Sequence, residues 1–206
     1  MDFHLSVLPR EVLRMTELTE LWLCNNSLTQ LPSEFGELRH LLLLSLANNK
    51  LEELPQVCSL VNLRTLLVRG NRLSALPNLL GQLKRLTYLD AAHNHLEFPE
   101  VLTSLPQLIH LDLQGNRVAK LPATLQVLKN LAYLNLSANP LSTLPLSPVL
   151  LRMPWLEVCG VDIPERGCRQ YLVTPDEELQ LGNLLKGRAA SSITSKLRRR
   201  KKKSNY

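Results

Sequence analysis

The stretch that decides the fold is residues 63–73, which read LRTLLVRGNRL. Apolar residues stand at its first, fourth, sixth and eleventh positions, and asparagine stands at the ninth. The same pattern occurs six times, and its asparagines are 23, 22, 23, 22 and 23 residues apart. These asparagines are Asn26, Asn49, Asn71, Asn94, Asn116 and Asn139. Six copies in constant register indicate an internal repeat in which every copy forms the same unit of structure.

The pattern L-x-x-L-x-L-x-x-N-x-L is that of the leucine-rich repeat. A Leu-Pro step such as Leu31-Pro32 follows the asparagine, and apolar residues then recur at threes, as in Phe35, Leu38 and Leu41. On these residues the chain resembles the intracellular LP-type leucine-rich repeats of Ras-suppressor, Scribble-like and Ras-pathway scaffold proteins. The resemblance covers roughly residues 5–160. It implies an interaction module without catalytic residues.

The repeat predicts an α/β leucine-rich-repeat solenoid. We expect a curved parallel sheet on its concave side and short helices, 3-10 turns or extended segments on its convex side. Each L-x-L segment predicts one short strand whose leucines face a continuous core. The repeated asparagines, which we call the asparagine ladder, should be buried where the chain leaves each strand. There their amides can bond backbone groups that no regular ladder reaches.

Four segments follow from where the pattern starts and stops. They are an incomplete N-terminal half-repeat at 1–17, six full repeats plus a degenerate seventh at 18–161, C-terminal capping helices at 162–186 and a disordered basic tail at 187–206. The capping helices are predicted from Thr174-Pro175-Asp176-Glu177, which has the form of a capping box with proline at the first helical position.

The N-terminal half-repeat lacks its own strand and asparagine. We therefore expect Leu5, Leu8 and Val12 to expose an apolar edge beside the first strand, because solenoids need capped ends. Such a start fits a truncated isoform or gene model, or an edge that a partner covers.

Composition narrows the class of protein. Leucine supplies 51 of the 206 residues, and hydrophobic residues make up 45% of the chain, which excludes wholesale disorder. No apolar run is long enough for a membrane span, and the N-terminus has no secretory signal pattern. The four cysteines form no C-x-x-C pair, which is typical of reduced thiols. The sequence therefore predicts a cytoplasmic protein, and it is also compatible with a nuclear location.

Specificity has to lie in the variable strand positions. Side chains that alternate with the strand leucines point out of the sheet, and we call the surface they form the concave face. Its predicted partner-binding residues are Trp22, Leu43, Leu67, Arg69, Tyr88, Asp90, His110, Asp112 and Tyr133. Aromatic residues and arginine are enriched in interface hot spots, although a single exposed aromatic is also common on ordinary surfaces. We expect the Tyr88 ring to pack on no core.

A cluster on two neighbouring strands suggests acid–base or metal chemistry at first sight. It contains Asp90, His93, His110 and Asp112, and direct pairing would place the two aspartates ~5 Å apart with one pKa raised or a cation close by. Arg69 on the preceding strand is the expected neutraliser. No metal-binding spacing supports a site, so we predict no catalytic residue, no metal, no cofactor and no small-molecule substrate.

The net charge of +6 is unevenly distributed. Nine basic residues and no acidic one lie from Lys186 onward, so the remaining 15 basic and 18 acidic residues give the body a net charge of −3. Six consecutive cations in the tail are Arg198, Arg199, Arg200, Lys201, Lys202 and Lys203. Such a run fits a nuclear import factor or an anionic membrane surface as its partner.

These observations predict a non-enzymatic intracellular signalling scaffold or adaptor that binds a protein partner on its concave face. The alternative is a nuclear or nucleic-acid-associated factor in which the basic tail dominates binding.

Overall fold

The computed structural model describes residues 5–141, Met153 and residues 156–159. The chain divides into two units, Met1–Pro164 and Glu165–Tyr206, and every described residue belongs to the first. The predicted capping helices at 162–186 and the basic tail at 187–206 lie outside the described residues. None of the described helices is long and apolar enough to cross a bilayer.

Seven short parallel strands form one sheet in which spatial order follows chain order. The strands are β1 Glu20–Trp22, β2 Leu43–Ser45, β3 Thr65–Leu67, β4 Tyr88–Asp90, β5 His110–Asp112, β6 Tyr133–Asn135 and β7 Glu157–Cys159. Equivalent residues of successive repeats are direct partners, as Leu66 is with Leu44 and with Leu89. The constant spacing of the leucine pattern thus becomes the register of the sheet, and the predicted solenoid is confirmed.

The return segments are mostly 3-10 helices, after an initial short helix α1 at Arg10–Leu13. Five of them follow in order: Ser33–Glu37, Pro55–Ser59, Asn78–Gln82, Glu100–Ser104 and Ala123–Val127. Four of the five begin directly after a proline in extended conformation, such as Pro32 at φ −64° and ψ 154°. The remaining one begins on Pro55 itself, in a repeat that is one residue shorter between that proline and the next leucine pattern.

The core is one apolar cluster that passes through every described repeat. The strand leucines face it from one side and the middle of each 3-10 helix from the other, as Leu66 and Leu80 do with 0% exposure. Each fully buried leucine contributes about 1.5–3 kcal/mol of hydrophobic stabilisation. The repeated leucines therefore account for the stability of the scaffold and leave the outward-facing strand positions free to vary.

The asparagine ladder joins neighbouring repeats. Asn71 Oδ1 accepts the Leu51 N–H at 3.0 Å, while Nδ2 donates to the carbonyls of Leu46 and Val68 at 3.0 and 2.9 Å. The same set of bonds forms at Asn49, Asn94, Asn116 and Asn139. Because one amide bonds groups of two repeats, the side chain takes the place of backbone pairing where the strands have ended.

The residue before each ladder asparagine is in the left-handed backbone region. These residues form a second column, which the repeat pattern did not predict and which we call the left-handed column: Asn25, Asn48, Gly70, His93, Gly115 and Ala138, with φ between 53° and 67°. Glycine and asparagine adopt this conformation at the lowest cost. At Gly70 a Cβ atom would also collide with Oδ1 of Asn48.

The N-terminal half-repeat differs from the expected exposed edge. Leu8 is only 3% exposed and packs into the core, so its expected exposure is wrong, while Val7 and Met15 are 74% and 55% exposed. The Leu5 N–H donates to Asn26 Oδ1 at 2.9 Å, which repeats the bond between Leu28 and the next ladder asparagine. The half-repeat therefore makes the same bond to its neighbour as a full repeat does and buries Leu8, while Leu5 and Val12 are half-buried against the core.

Candidate functional site

The strands place all nine predicted partner-binding residues on the concave face or at its rim, but their accessibility differs. Trp22 is 38% exposed, and most of the others are half-buried. The structure corrects the prediction for Leu43, which is only 4% exposed and offers almost no surface to a partner. Neighbouring strands lie ~4.8 Å apart, so Leu43 is flanked on both sides by its register partners Glu20 and Thr65.

Three rings form a continuous stack on the concave face. The Tyr88 and His110 rings lie 4.1 Å apart between centroids with an interplanar angle of 6°, and the His110 and Tyr133 rings lie 4.3 Å apart at 10°. The stack follows from the register, which pairs these residues directly on β4, β5 and β6. The Tyr88 ring belongs to no core, as expected, but it packs closely on His110.

Burial in the stack changes the acid–base behaviour of its members. It lowers the pKa of His110 to about 4, so this imidazole is neutral at pH 7. It also raises the pKa of the Tyr88 hydroxyl far above its usual range, and the negative charges of Asp90 and Asp112 add to the effect. Both rings are therefore uncharged at physiological pH, which suits contact with the apolar parts of a partner.

A row of polar side chains runs beside the ring stack, two residues further along the same strands. Asp90, Asp112 and Asn135 each use Oδ1 to accept the backbone N–H two residues later, at 3.1, 2.8 and 3.0 Å. Nδ2 of Asn135 also donates to Oδ2 of Asp112 at 3.2 Å. These bonds fix the orientation of all three side chains. We call this row, in which the carboxylates of Asp90 and Asp112 stand beside the amide of Asn135, the carboxylate row.

Asn135 was not among the predicted site residues. The sequence did place Asn135 directly opposite Asp112 in the register of the repeats, and this position could have identified it. There the amide of Asn135 orients the carboxylate of Asp112.

The expected rise in a carboxyl pKa occurs at Asp90, where it reaches about 6. Burial is the main cause and the charge of Asp112 is a smaller one, while the hydrogen bond from the Ala92 N–H and the charge of Arg69 act in the opposite direction. In the described part of the chain, Arg69 makes no side-chain hydrogen bond or ion pair. It therefore acts on Asp90 only through its charge, from a distance.

The cluster does not assemble as a metal centre within the described residues, where no three histidine, cysteine, aspartate or glutamate side chains converge. His93 belongs to the left-handed column, and its ring lies beside Gly115.

Comparison with known proteins identifies the repeats. The family described as leucine rich repeat matches residues 16–73, and the one described as leucine rich repeats in two copies matches residues 106–148. Leucine-rich repeats are protein-interaction modules, and neither family is one of enzymes. No curated protein matches the chain.

Solved structures give the same result. A leucine-rich-repeat protein of Leptospira interrogans is 35% identical with a TM-score of 0.71, over 74% of this chain and 40% of that one. The ectodomain of the plant membrane receptor kinase GASSHO1/SCHENGEN3 of Arabidopsis thaliana, in complex with Casparian strip integrity factor 2, is 31% identical with a TM-score of 0.66, over 75% and 19%. Internalin C2 of Listeria monocytogenes is 26% identical with a TM-score of 0.65, over 74% and 65%.

The chain thus spans less than half the length of two of these three proteins. The two families and three structures named above do not include the Ras-suppressor or Scribble-like group, so that resemblance stays a prediction. With its seven-stranded parallel sheet, its 3-10 returns and these matches, the described part of the chain is a leucine-rich-repeat solenoid.

Proposed function

We propose that this protein is a non-enzymatic intracellular scaffold or adaptor that binds a protein partner on its concave face. The observation that carries the proposal is the ring stack of Tyr88, His110 and Tyr133 beside the carboxylate row. Packing of the core does not require aromatic rings at these positions, since Thr65 and Leu43 fill them on other strands.

The geometry of the stack suits binding. Its rings are half-buried, so they keep part of their area for a partner, and stacking already restricts their rotamers. A surface whose side chains are ordered before binding loses less conformational entropy when the complex forms. Aromatic anchors beside directed polar groups are also the composition found at the centres of protein interfaces.

The similar structures support the same kind of partner. The Arabidopsis ectodomain, which is 31% identical, is described in complex with Casparian strip integrity factor 2. Proteins of this fold thus hold protein ligands, and we extend that role to this chain.

A second function is favoured by the six consecutive cations at 198–203. In that alternative the tail dominates and the protein is a nuclear or nucleic-acid-associated factor. Binding through the tail would fall steeply with salt, because each phosphate contact releases counterions.

Affinity capture with the full chain and three variants separates the two functions. The variants are Tyr88→Ala on the concave face, a tail in which the cations at 198–203 become glutamine, and the control Leu79→Ala. Leu79 is 61% exposed in the 3-10 helix Asn78–Gln82, so the control removes apolar surface from the convex side. Captured proteins are identified by mass spectrometry, and the affinity of each is then measured by calorimetry.

If the concave face binds, Tyr88→Ala weakens the specific partner by about 1–3 kcal/mol, whereas the tail variant and Leu79→Ala keep it. An unchanged affinity for Tyr88→Ala together with complete loss for the tail variant would reject the proposal in favour of the alternative.

A further inference from the structure

We infer that the concave face receives a basic segment of its protein partner, and that one arginine of that segment bridges Asp90 and Asp112. This inference rests on the proposed function and specifies the chemistry of the partner.

The charge of the face is complementary to a cation. Three outward-facing positions recur in each repeat and form three columns: the first and the last residue of the strand, and the residue two positions after it. Within the described residues, the acidic side chains in these columns are those of Glu20, Asp90, Asp112 and Glu157, and the only basic one is Arg69. Four acids against one cation give these columns a formal charge of −3, because His110 is neutral at pH 7. The cations at the flank, such as Arg72, are exposed and therefore screened by salt.

Acceptor atoms are available at the aspartate pair. Asp90 Oδ1 accepts the Ala92 N–H, but Oδ2 has no donor in the described part of the chain. Since no fully buried side-chain oxygen there lacks a partner, Oδ2 is in part accessible to solvent. Each oxygen of Asp112 accepts one hydrogen bond, from the Gln114 N–H and from Asn135 Nδ2, and keeps a lone pair.

The spacing of the pair favours arginine over lysine. Asp90 and Asp112 are direct register partners, so their backbones lie ~4.8 Å apart and their like charges repel each other. A guanidinium carries donors on both arms of a planar fork, so it can bond two neighbouring carboxylates at once. An ammonium is a compact charge without this fixed geometry.

The ring stack provides a place for the rest of the arginine side chain. Tyr88 and His110 lie on the same strands as the two aspartates, two residues earlier and on the same face of the sheet. The aliphatic part of an arginine can pack along such ring edges while its charged end reaches the carboxylates.

A substitution at Arg69 can test whether the partner segment is basic or acidic. Its charge already lowers the pKa of Asp90, but no hydrogen bond or ion pair within the described residues holds its side chain. An incoming arginine competes with this charge, so removing it should strengthen the binding of a basic segment. If the partner were acidic, the same change would weaken binding.

The probe is a phage-displayed library of random 12-residue peptides, selected on the full chain at low salt. Synthetic copies of the selected peptides are then titrated by calorimetry against the protein and its variants. Asp90→Asn is the test variant, because Asn135 shows that an asparagine at this place makes the same backbone bond. Glu53→Gln is the control, since it removes one charge from an exposed residue outside the face.

The expected peptides contain an arginine whose replacement by neutral citrulline weakens binding at least about 10-fold. Asp90→Asn should cause a similar loss, Glu53→Gln should change affinity less than about 2-fold, and Arg69→Gln should tighten binding. Circular dichroism of each variant checks that the fold is kept.

Two other results are distinguishable. Peptides that need Tyr88 but neither an arginine nor Asp90 would overturn this inference and leave the proposed function standing. Peptides that are insensitive to every concave-face variant, or a selection without binders, would count against both.

Discussion

Replacing Asn71 by leucine tests the asparagine ladder at its centre. Asn71 is 6% exposed, and its amide makes three bonds of 3.0 Å or less to groups of two repeats. Leucine has a similar branched shape but no polar atoms, so the change removes the hydrogen bonds with little change of volume. The free energy of unfolding should therefore report mainly on the polar groups that are left behind.

The magnitude follows from which groups lose every partner. The carbonyl of Leu46 keeps its bond from Asn49, and that of Val68 keeps its bond from Asn94. Only the Leu51 N–H is left without an acceptor, which costs about 1–3 kcal/mol for a buried donor. Adding the two weakened carbonyls, we expect a total loss of about 2–4 kcal/mol.

The assay is urea denaturation followed by circular dichroism, with Asn26→Leu as the matched control. Asn26 also accepts an N–H of the preceding repeat, that of Leu5, but it is half-buried and donates only to carbonyls of its own repeat. Its replacement should therefore cost less than that of Asn71. A loss below about 0.5 kcal/mol for Asn71→Leu, or equal losses for the two variants, would refute the assigned role of the ladder.

Three further predictions concern the left-handed column and the concave face. Ala138 has a φ of 56°, so Ala138→Gly should stabilise the fold by up to about 1 kcal/mol in the same urea assay, and a destabilised variant would contradict this. Tyr88→Ala removes one member of the ring stack and should lower the free energy of unfolding by about 1–2 kcal/mol, with a matching loss of near-ultraviolet dichroism; an unchanged stability would show that the stack contributes nothing. The third prediction concerns pH. The pKa of Asp90 is raised from 3.8 to about 6, so Asp90 binds a proton on folding and adds stability as the pH falls from about 6 to 4. The pKa of His110 is lowered to about 4, so His110 removes stability as the pH falls from about 6.5 to 4. The two effects oppose each other. Between pH 7 and pH 4 the free energy of unfolding of Asp90→Asn should therefore fall by about 2–3 kcal/mol more than that of the unmodified protein, and that of His110→Gln should fall by less. Parallel pH profiles of the three proteins would contradict both pKa shifts.

The spacing of asparagines was sufficient to predict the strands, their parallel register and the core, because these depend on periodic burial. For the same reason it placed Tyr88, His110 and Tyr133 in one column. It could not predict that their rings stack, since stacking depends on side-chain torsions. Nor could it predict the burial of Leu43, which depends on the size of the neighbouring side chains.

The left-handed column was only partly visible in the sequence. Asn25, Asn48, Gly70 and Gly115 are residue types that favour positive φ, and their position before each ladder asparagine was a usable signal. His93 and Ala138 adopt the same conformation because the surrounding repeats impose it. A local preference can therefore be read from one sequence, whereas a conformation imposed by neighbours requires the structure.

The two shorter repeats show where this architecture tolerates a change in length. The next pattern leucine comes nine positions after the proline in most repeats, but Leu63 comes only eight positions after Pro55. The turn from Asn94 to Pro99 is likewise one residue shorter than its counterparts. Both deletions fall in the return segments, whereas the stretch from strand to asparagine has the same length in all six copies. An insertion in a return segment changes one loop, while an insertion in a strand would shift its side chains to the opposite face and misplace its asparagine. Over evolution, or in protein engineering, the convex side can therefore gain and lose residues while the concave face changes only by substitution.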